Sequence, residues 1–535
     1  MIPFLKKVED ITKVDITYEL FPPYAYAHIY YDKENKELRY DVVEPELNEN
    51  EKKILEKIKT VIIELLEVDV TNIKEEKIRD ILENLIKEAC IILGINLKEE
   101  TLKKISYYIF RDFAGYNEID PLLRDPYIED ISCSGINLPV FVVHRIYGTL
   151  KTNIIFRDIE KLKSFIIKLA QRSGRFVTYA EPILEAALPD GSRVSANYSE
   201  EVSTKGPNFT IRKFTEKPFS IVELIELGTL DEEIAAYLWL LIEYKVSALI
   251  IGGVGSGKTS LLTSLGQFIR PEAKIVSIED TRELRFVHEH WVPLVTRSGF
   301  GLPLLTGQKY GEVSLFDLLK ESFRMNPEYV IVGEARGREI YVMFQGMASG
   351  HACLSTFHAE NVDAVIKRLI TPPIELPPSL IEALDLIITM RRAKEKGEYA
   401  RRITEIVEIV SVEKESNKVI TNVTYKWDPF TDTFKKVDES VKLKKISEKY
   451  GISLEKLKEE IENRKKVIKW LRGRKIMNYQ EVAKIIKMYY KDKKSLLELI
   501  EGKKIFEEEK ELKIRELKDV IKLLGYKLIE IKEAI

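Results

Sequence analysis

Apolar residues recur at helical spacing from Asn48 to about Gly94: Ile54, Ile58, Ile62 and Leu65, then Ile78, Leu82, Leu85 and Ile86. This predicts amphipathic helices whose apolar faces form a bundle. Before them, Ala27–Tyr31 and Glu37–Val42 have strand-like composition around a polar loop, and Phe21-Pro22-Pro23-Tyr24 reads as a rigid turn. Residues 1–96 are therefore expected to form a mixed, mainly helical N-terminal region. From Leu97 the pattern changes. A helix over Leu102–Gly115 precedes strands at Ile131–Ser134, Val140–His144 and Ile154–Phe156, then a helix over Ile159–Ser173 with Leu162, Phe165, Ile166 and Leu169 on one face. Strands at Ile183–Leu188 and Asn208–Lys213 flank the turn Pro189-Asp190-Gly191-Ser192. Helix on antiparallel sheet makes 97–217 an α+β domain, and Lys217–Leu230 reads as a linker.

Residues 218–435 alternate strand and helix, the pattern of a doubly wound α/β domain. The strands are expected at Ala248–Ile251, Lys274–Ile278, Tyr329–Val332, Ala352–Thr356, Asp385–Met390 and Ile403–Val410. Helices are expected at Leu315–Phe323, Arg338–Ala348 and Val362–Leu369. Residues 436–535 are Lys- and Glu-rich with helical periodicity and form a C-terminal helical extension. The basic run Lys445–Lys475 within it is either a solvated helix face or a docking surface for a partner or acidic lipid headgroups.

One stretch carries chemistry by itself. Ala248–Ile251 runs into Gly252-Gly253-Val254-Gly255-Ser256-Gly257-Lys258-Thr259-Ser260, the full G-x-x-x-x-G-K-[ST] pattern between a strand and a helix. Glycines let backbone N–H groups turn inward around phosphate oxygens, and the following helix adds its positive N-terminal end. Lys258 would reach the β- and γ-phosphates and the Thr259 hydroxyl a Mg²⁺ ion. The cofactors implied are ATP and Mg²⁺. In open α/β sheets ligands sit beyond the carboxyl ends of the strands, so the polar residues there complete the candidate list. They are Glu279 to Glu283 after the second strand, Glu334 after Val330–Gly333, and His351 and His358 around the fourth strand.

Charge narrows the alternatives. Lys and Arg number 84 and Asp and Glu 86 in 535 residues, a net charge of -2, so no global field draws in nucleic acid. Cys90, Cys133 and Cys353 are widely separated and form no C-x-x-C pair, which points to reduced thiols rather than a disulfide framework or cysteine zinc site. The N-terminus has no long apolar core of the signal-peptide type, and no stretch reaches about 18 apolar residues. A cytoplasmic chain that meets a membrane through partners or its surface is the expectation.

The ordered set of motifs resembles the secretion-superfamily ATPases of type II and type IV secretion and type IV pili, in particular the archaeal pilus and archaellum branch. In that family the stretches are Walker A (Gly252–Thr259), the Asp box (Glu279–Glu283), Walker B (Val330–Glu334) and the His box (His351, His358). Phe300–Asp317 resembles the segment before Walker B in the archaeal branch. Two departures stand out: there is no four-cysteine module, and Gly333 stands where other P-loop ATPases carry an Asp before the Walker B Glu. The resemblance implies a RecA-like ATPase domain preceded by the α+β domain, hexameric assembly, and motion passed to a polytopic membrane platform protein at the inner face of the cell membrane. On charge, Glu279 and Glu334 are the two carboxylates able to polarise the water or hold Mg²⁺ waters, with Glu279 favoured for the water and Glu334 for Mg²⁺, while His351 and His358 can sense the γ-phosphate. The resemblance adds Arg193, Arg212 and Arg175 as arginine-finger candidates. A salt-bridged surface role is open for each arginine, and a core role for each histidine. Two rival classes remain at this level: a nucleic-acid translocase or conjugation-type motor, and a scaffold that nucleotide merely holds together.

Overall fold

In the computed structural model the described residues are 8, 10–65, 75–214, 218–297, 299, 310–395, 398–413, 415, 416 and 418–501. The chain divides into two units, Met1–Thr215 and Glu216–Ile535, each built on its own nine-stranded sheet. In the first unit the strands are β1 (Asp15–Phe21), β2 (Ala25–Asp32), β3 (Glu37–Val43), β4 (Ile128–Cys133), β5 (Pro139–His144), β6 (Gly148–Ile155), β7 (Ile183–Ala187), β8 (Arg193–Asn197) and β9 (Asn208–Arg212). Their order is β1-β2-β3-β6-β5-β4-β9-β8-β7. Alternate residues such as Ala25, Ala27 and Ile29 are buried, as period-two patterning requires. Helix α5 (Ile159–Arg172) covers that face with Leu162, Phe165, Ile166 and Leu169, the residues its spacing predicts.

Helices α1 (Glu49–Leu65), α2 (Glu75–Ile92) and α3 (Glu99–Phe113) make the expected bundle around Ile58, Ile62, Leu82, Ile86, Ile105 and Ile109, and a short α4 (Asp120–Arg124) follows. The structure differs from the expected division at residue 96. Strand β3 pairs in parallel with β6 through Arg39–Lys151 and Tyr40–Thr152, so the N-terminal strands extend the α+β sheet. The reason is the exposed edge of β6: its unpaired N–H and C=O groups are satisfied by a strand from the preceding region.

The second unit contains α6 (Ile221–Glu226), α7 (Glu232–Glu243), β10 (Ala248–Gly252), α8 (Lys258–Gly266), β11 (Ile275–Glu279), β12 (Trp291–Val295), α9 (Leu315–Arg324), β13 (Tyr329–Val332), α10 (Glu339–Ala348), β14 (Ala352–Phe357), α11 (Val362–Ile370), α12 (Pro378–Ile381) and β15 (Leu386–Glu395). It continues with β16 (Glu398–Val412), β17 (Val419–Asp428), β18 (Thr433–Lys436), α13 (Val441–Tyr450), α14 (Leu454–Gly473), α15 (Tyr479–Lys491) and α16 (Lys493–Ile500). The sheet order is β12-β11-β13-β14-β10-β15-β16-β17-β18, parallel as far as β15 and antiparallel beyond.

Helices cover both faces, which explains the unbroken apolar runs of the parallel strands. Along β10, Ala248 and Ile250 face a core with α6, α7 and α8, while Leu249 and Ile251 face one with α10 and α11. The helices α13 to α16 belong to the first of these cores. Leu443, Ile446, Leu457, Val467, Leu471, Val482, Ile486 and Leu496 share one cluster with Trp239, Leu262 and Ile250. The C-terminal helices are thus, as far as residue 501, one wall of the second unit. The rest of the expected extension, residues 502–535, and residues 300–309 of the Phe300–Asp317 stretch lie outside the described residues.

Candidate active site

Parallel pairing brings the carboxyl ends of β10, β11, β13 and β14 to one edge of the sheet. Ile251 lies beside Phe357 and Thr389, Val332 beside Ile278 and Ser355. The loop after β10 therefore lies at the same edge as Glu279, Gly333, Glu334 and His358. Within that loop Gly252, Gly255 and Gly257 have φ of 152°, 69° and 91°. A Cβ at Gly252 would stand 2.3 Å from the Met390 carbonyl oxygen and 2.6 Å from Ser256 Oγ, so only glycine lets the loop close. Gly257 caps α8, which begins at Lys258. Lys258 is 8% exposed, and its Nζ donates to the carbonyls of Gly252 and Gly253 at 3.0 and 2.9 Å. Burial pushes its ammonium below the ordinary lysine range, and Glu334 acts in the opposite direction.

The two carboxylates sit in different surroundings. Glu279 is 3% exposed, and its Oε1 accepts the backbone N–H groups of Glu283 and Leu284 at 2.8 and 2.9 Å, shaping the loop after β11. Its side chain also crowds Gly333: a Cβ there would lie 3.0 Å from Glu279 Cγ. A side chain at 333 would need Glu279 to give way by a few tenths of an ångström. Glu334 accepts a hydrogen bond from Arg336 Nη2, and its Oε1 lies 2.8 Å from His358 Nε2. Burial raises its pKa, but Arg336, His358 and Lys258 outweigh burial and hold the carboxyl below its usual range. His358 is pushed down by burial first, then by Lys258, so it favours the neutral imidazole at neutral pH.

His351 is not part of this group. It precedes β14 at the amino end of that strand, with Nδ1 3.1 Å from the Pro327 carbonyl and its ring 5.1 Å from Phe323. The six residues of β14 at about 3.3 Å each separate it from His358, so within one chain the two histidines occupy opposite ends of that strand. Arg193 and Arg212 face each other across β8 and β9 in the first unit, and Arg212 Nε donates to Asp130 at 3.3 Å. Arg175 follows α5 in the same unit. Sequence reasoning missed Arg401, whose Nε donates to the Gly255 carbonyl at 3.1 Å, and Glu339, whose Oε1 accepts the N–H groups of Arg336 and Gly337. For Arg401 the signal was present as two Arg-Arg pairs, 391–392 and 401–402, but only strand register places Arg401 at the loop.

The type II/IV secretion system protein family matches residues 140–453. This chain belongs to that family. An uncharacterized protein of Methanocaldococcus jannaschii is 36% identical over 514 residues, 92% of this chain and 91% of the relative. The type IV secretion system protein PtlH of Bordetella pertussis is 28% identical over 46% of this chain and 81% of its own length. Among solved structures, the pilus retraction motor PilT with bound ADP is similar at 17% identity and a TM-score of 0.37, covering 54% of this chain and 81% of PilT.

Proposed function

We propose that this chain hydrolyses ATP to drive a filament-assembly or secretion machine of the type IV pilus kind. The observation that carries the reading is the cradle between β10 and α8: positive-φ glycines, a closing contact that any Cβ would block, and a buried lysine facing Glu334. Gly252 to Ser260 supply the phosphate-binding backbone. Among the described residues no group of three or more His, Cys, Asp or Glu is placed to hold a metal. Thr259 and Glu334 fit Mg²⁺, which takes few protein ligands and binds together with substrate phosphates. When bound, Mg²⁺ would neutralise phosphate charge during transfer. Glu334, kept ionised by its cationic neighbours, is the stronger candidate for orienting water as well. Glu279 commits one oxygen to the backbone and sets the space in which Gly333 and Glu334 sit. Lys258 and His358 place a cation and a neutral donor beside Glu334. Arg193, Arg212 and Arg175 are proposed to act on a neighbouring copy's nucleotide, and His351 at a subunit boundary, in a homo-hexamer.

By extension from the family, the ring works in the cytoplasm against a membrane platform protein, and no nucleic acid is required. Among the described residues no helix is long and apolar enough to cross a membrane. Phosphate release by purified wild type and Lys258→Ala tests the enzyme reading. Wild type is expected to turn over and the variant to lose both turnover and most ATP affinity while remaining folded. Near-wild-type turnover by the folded variant contradicts the reading.

A further inference from the structure

A phosphate-binding loop works only if its peptide planes are held with N–H groups inward and carbonyls outward. The two ends of a peptide unit point in opposite directions, so a donor that grips a loop carbonyl from outside also aims the next residue's N–H into the cradle. Arg401, on β16, is such a donor. Its Nε bonds the Gly255 carbonyl at 3.1 Å, and the N–H that shares this peptide plane is that of Ser256, at the centre of the loop. The arginine stem is seated as well: a Cβ on Gly257 would lie 3.0 Å from Arg401 Cδ and 3.5 Å from Met390 Cε. Gly257 is therefore small both for its backbone conformation and for the side chain that crosses it.

The neighbouring arginines show that this placement is specific. In the β15–β16 hairpin Arg391 stands opposite Arg402, and Arg392 opposite Arg401. Arg402 turns the other way. It is 6% exposed, pairs with both oxygens of Asp432 at 2.8 and 2.9 Å and donates to the Leu227 carbonyl at 3.0 Å. Arg392 Nη1 lies 3.9 Å from the position a Cβ would take on Gly255. Adjacent residues of one strand thus do different work. One ties the hairpin to the body of the unit, and the other holds the phosphate loop from its outer side.

We propose that Arg401 is a positioning residue for nucleotide binding: it acts through the Gly255–Ser256 peptide to preorganise the loop. The inference rests on the ATP reading above. Preorganisation of this kind helps ground state and transition state alike, so it changes affinity and KM more than kcat.

The test uses the full chain. Binding of a fluorescent ADP analogue and steady-state ATP turnover are compared for wild type, Arg401→Met, Arg401→Lys and Lys258→Ala, with hydrogen exchange of residues 254–258 measured without nucleotide. Arg401→Met is expected to weaken ADP binding and raise KM for ATP about tenfold, in the range of one charge-assisted hydrogen bond, with kcat within about threefold of wild type. Exchange over 254–258 should quicken, and Arg401→Lys, which can still donate to the same carbonyl, should recover part of the affinity. Wild-type affinity and exchange in Arg401→Met would overturn the proposal. So would a loss confined to kcat. If wild type itself binds no nucleotide while Lys258→Ala behaves identically, the ATP reading fails and this inference with it.

Discussion

At the scale of single residues, Glu334 and Glu279 show how one side-chain type acquires two roles from its neighbours. Glu334 is surrounded by Arg336, His358 and Lys258, which keep it charged. Glu279 is buried and bonded to the loop that follows it. Glu→Gln keeps size and one acceptor but removes charge. Glu334→Gln is expected to bind ATP and to turn over about 10²–10⁴-fold more slowly, the usual range for a lost general base. If Glu334 also holds Mg²⁺ waters, the defect should shift with Mg²⁺ concentration or Mn²⁺ substitution. The Glu279→Gln amide would present its Oε1-equivalent carbonyl to the same N–H groups. Its defect should therefore be insensitive to metal, and the reverse pattern would exchange the two assignments. Both carboxylates were legible in the sequence as polar residues after apolar strands. Arg401 was not, because an arginine in an antiparallel hairpin is an ordinary surface residue until its register is known.

Among elements, strand β12 and the C-terminal helices mark where local pattern was insufficient. Trp291–Val295 contains Pro293, which argues against a strand in sequence; it lies at the sheet edge, where proline's missing N–H has no ladder partner to lose. In helix α14, Arg464 is 2% exposed, pairs with Glu243 and lies over the rings of Trp239 and Tyr489 at 5.5 and 5.4 Å. A charged residue at that position reads as solvated in a Lys/Glu-rich sequence. In the fold it locks α14 onto α7. Arg464→Met leaves Glu243 with Arg270 as a remaining partner, so the cost should be about 3 kcal/mol, the low end for breaking a buried pair. Denaturant unfolding followed by the fluorescence of Trp239 and Trp470 measures it. A loss below about 1 kcal/mol would show that α14 is held by its apolar face alone.

For the whole molecule, acid stability has a definite source in the first unit. His144 at the end of β5 is 1% exposed, and its Nδ1 accepts the N–H groups of Ile146 and Tyr147 at 3.1 and 3.3 Å. Burial pushes its pKa down to about 4 from an ordinary 6.5, against the pull of Asp125. Protonation would also cost both backbone hydrogen bonds. The folded value is the lower one, so between pH 6.5 and 4 the unfolded chain binds a proton that the folded unit refuses. Stability of the first unit is therefore present in full above about pH 6.5 and falls by about 3 kcal/mol as pH approaches 4. Hydrogen exchange of β5 and β6 at pH 7 and pH 4.5 reads this directly. His144→Gln, which can still accept at that position without titrating, should flatten the dependence. An unchanged slope in the variant would assign the acid sensitivity to other groups.

The sequence by itself determined the elements whose causes are local. The phosphate loop needs glycines at set spacing, the parallel strands need unbroken apolar runs, and α5 and the α1–α3 bundle need their helical stripes. Each of these is written within a dozen or so residues. Tertiary structure alone decided what depends on distant partners. Strand β3 joins the α+β sheet because β6 leaves it an edge. The helices from Val441 to Ile500 become core because α7 and α8 present an apolar face. His351 and His358 part company because a strand separates them, and Gly333 is crowded because Glu279 lies beside it. Arg401 reaches Gly255 across 146 positions, a contact that follows from the register of one hairpin and from nothing nearby in the chain.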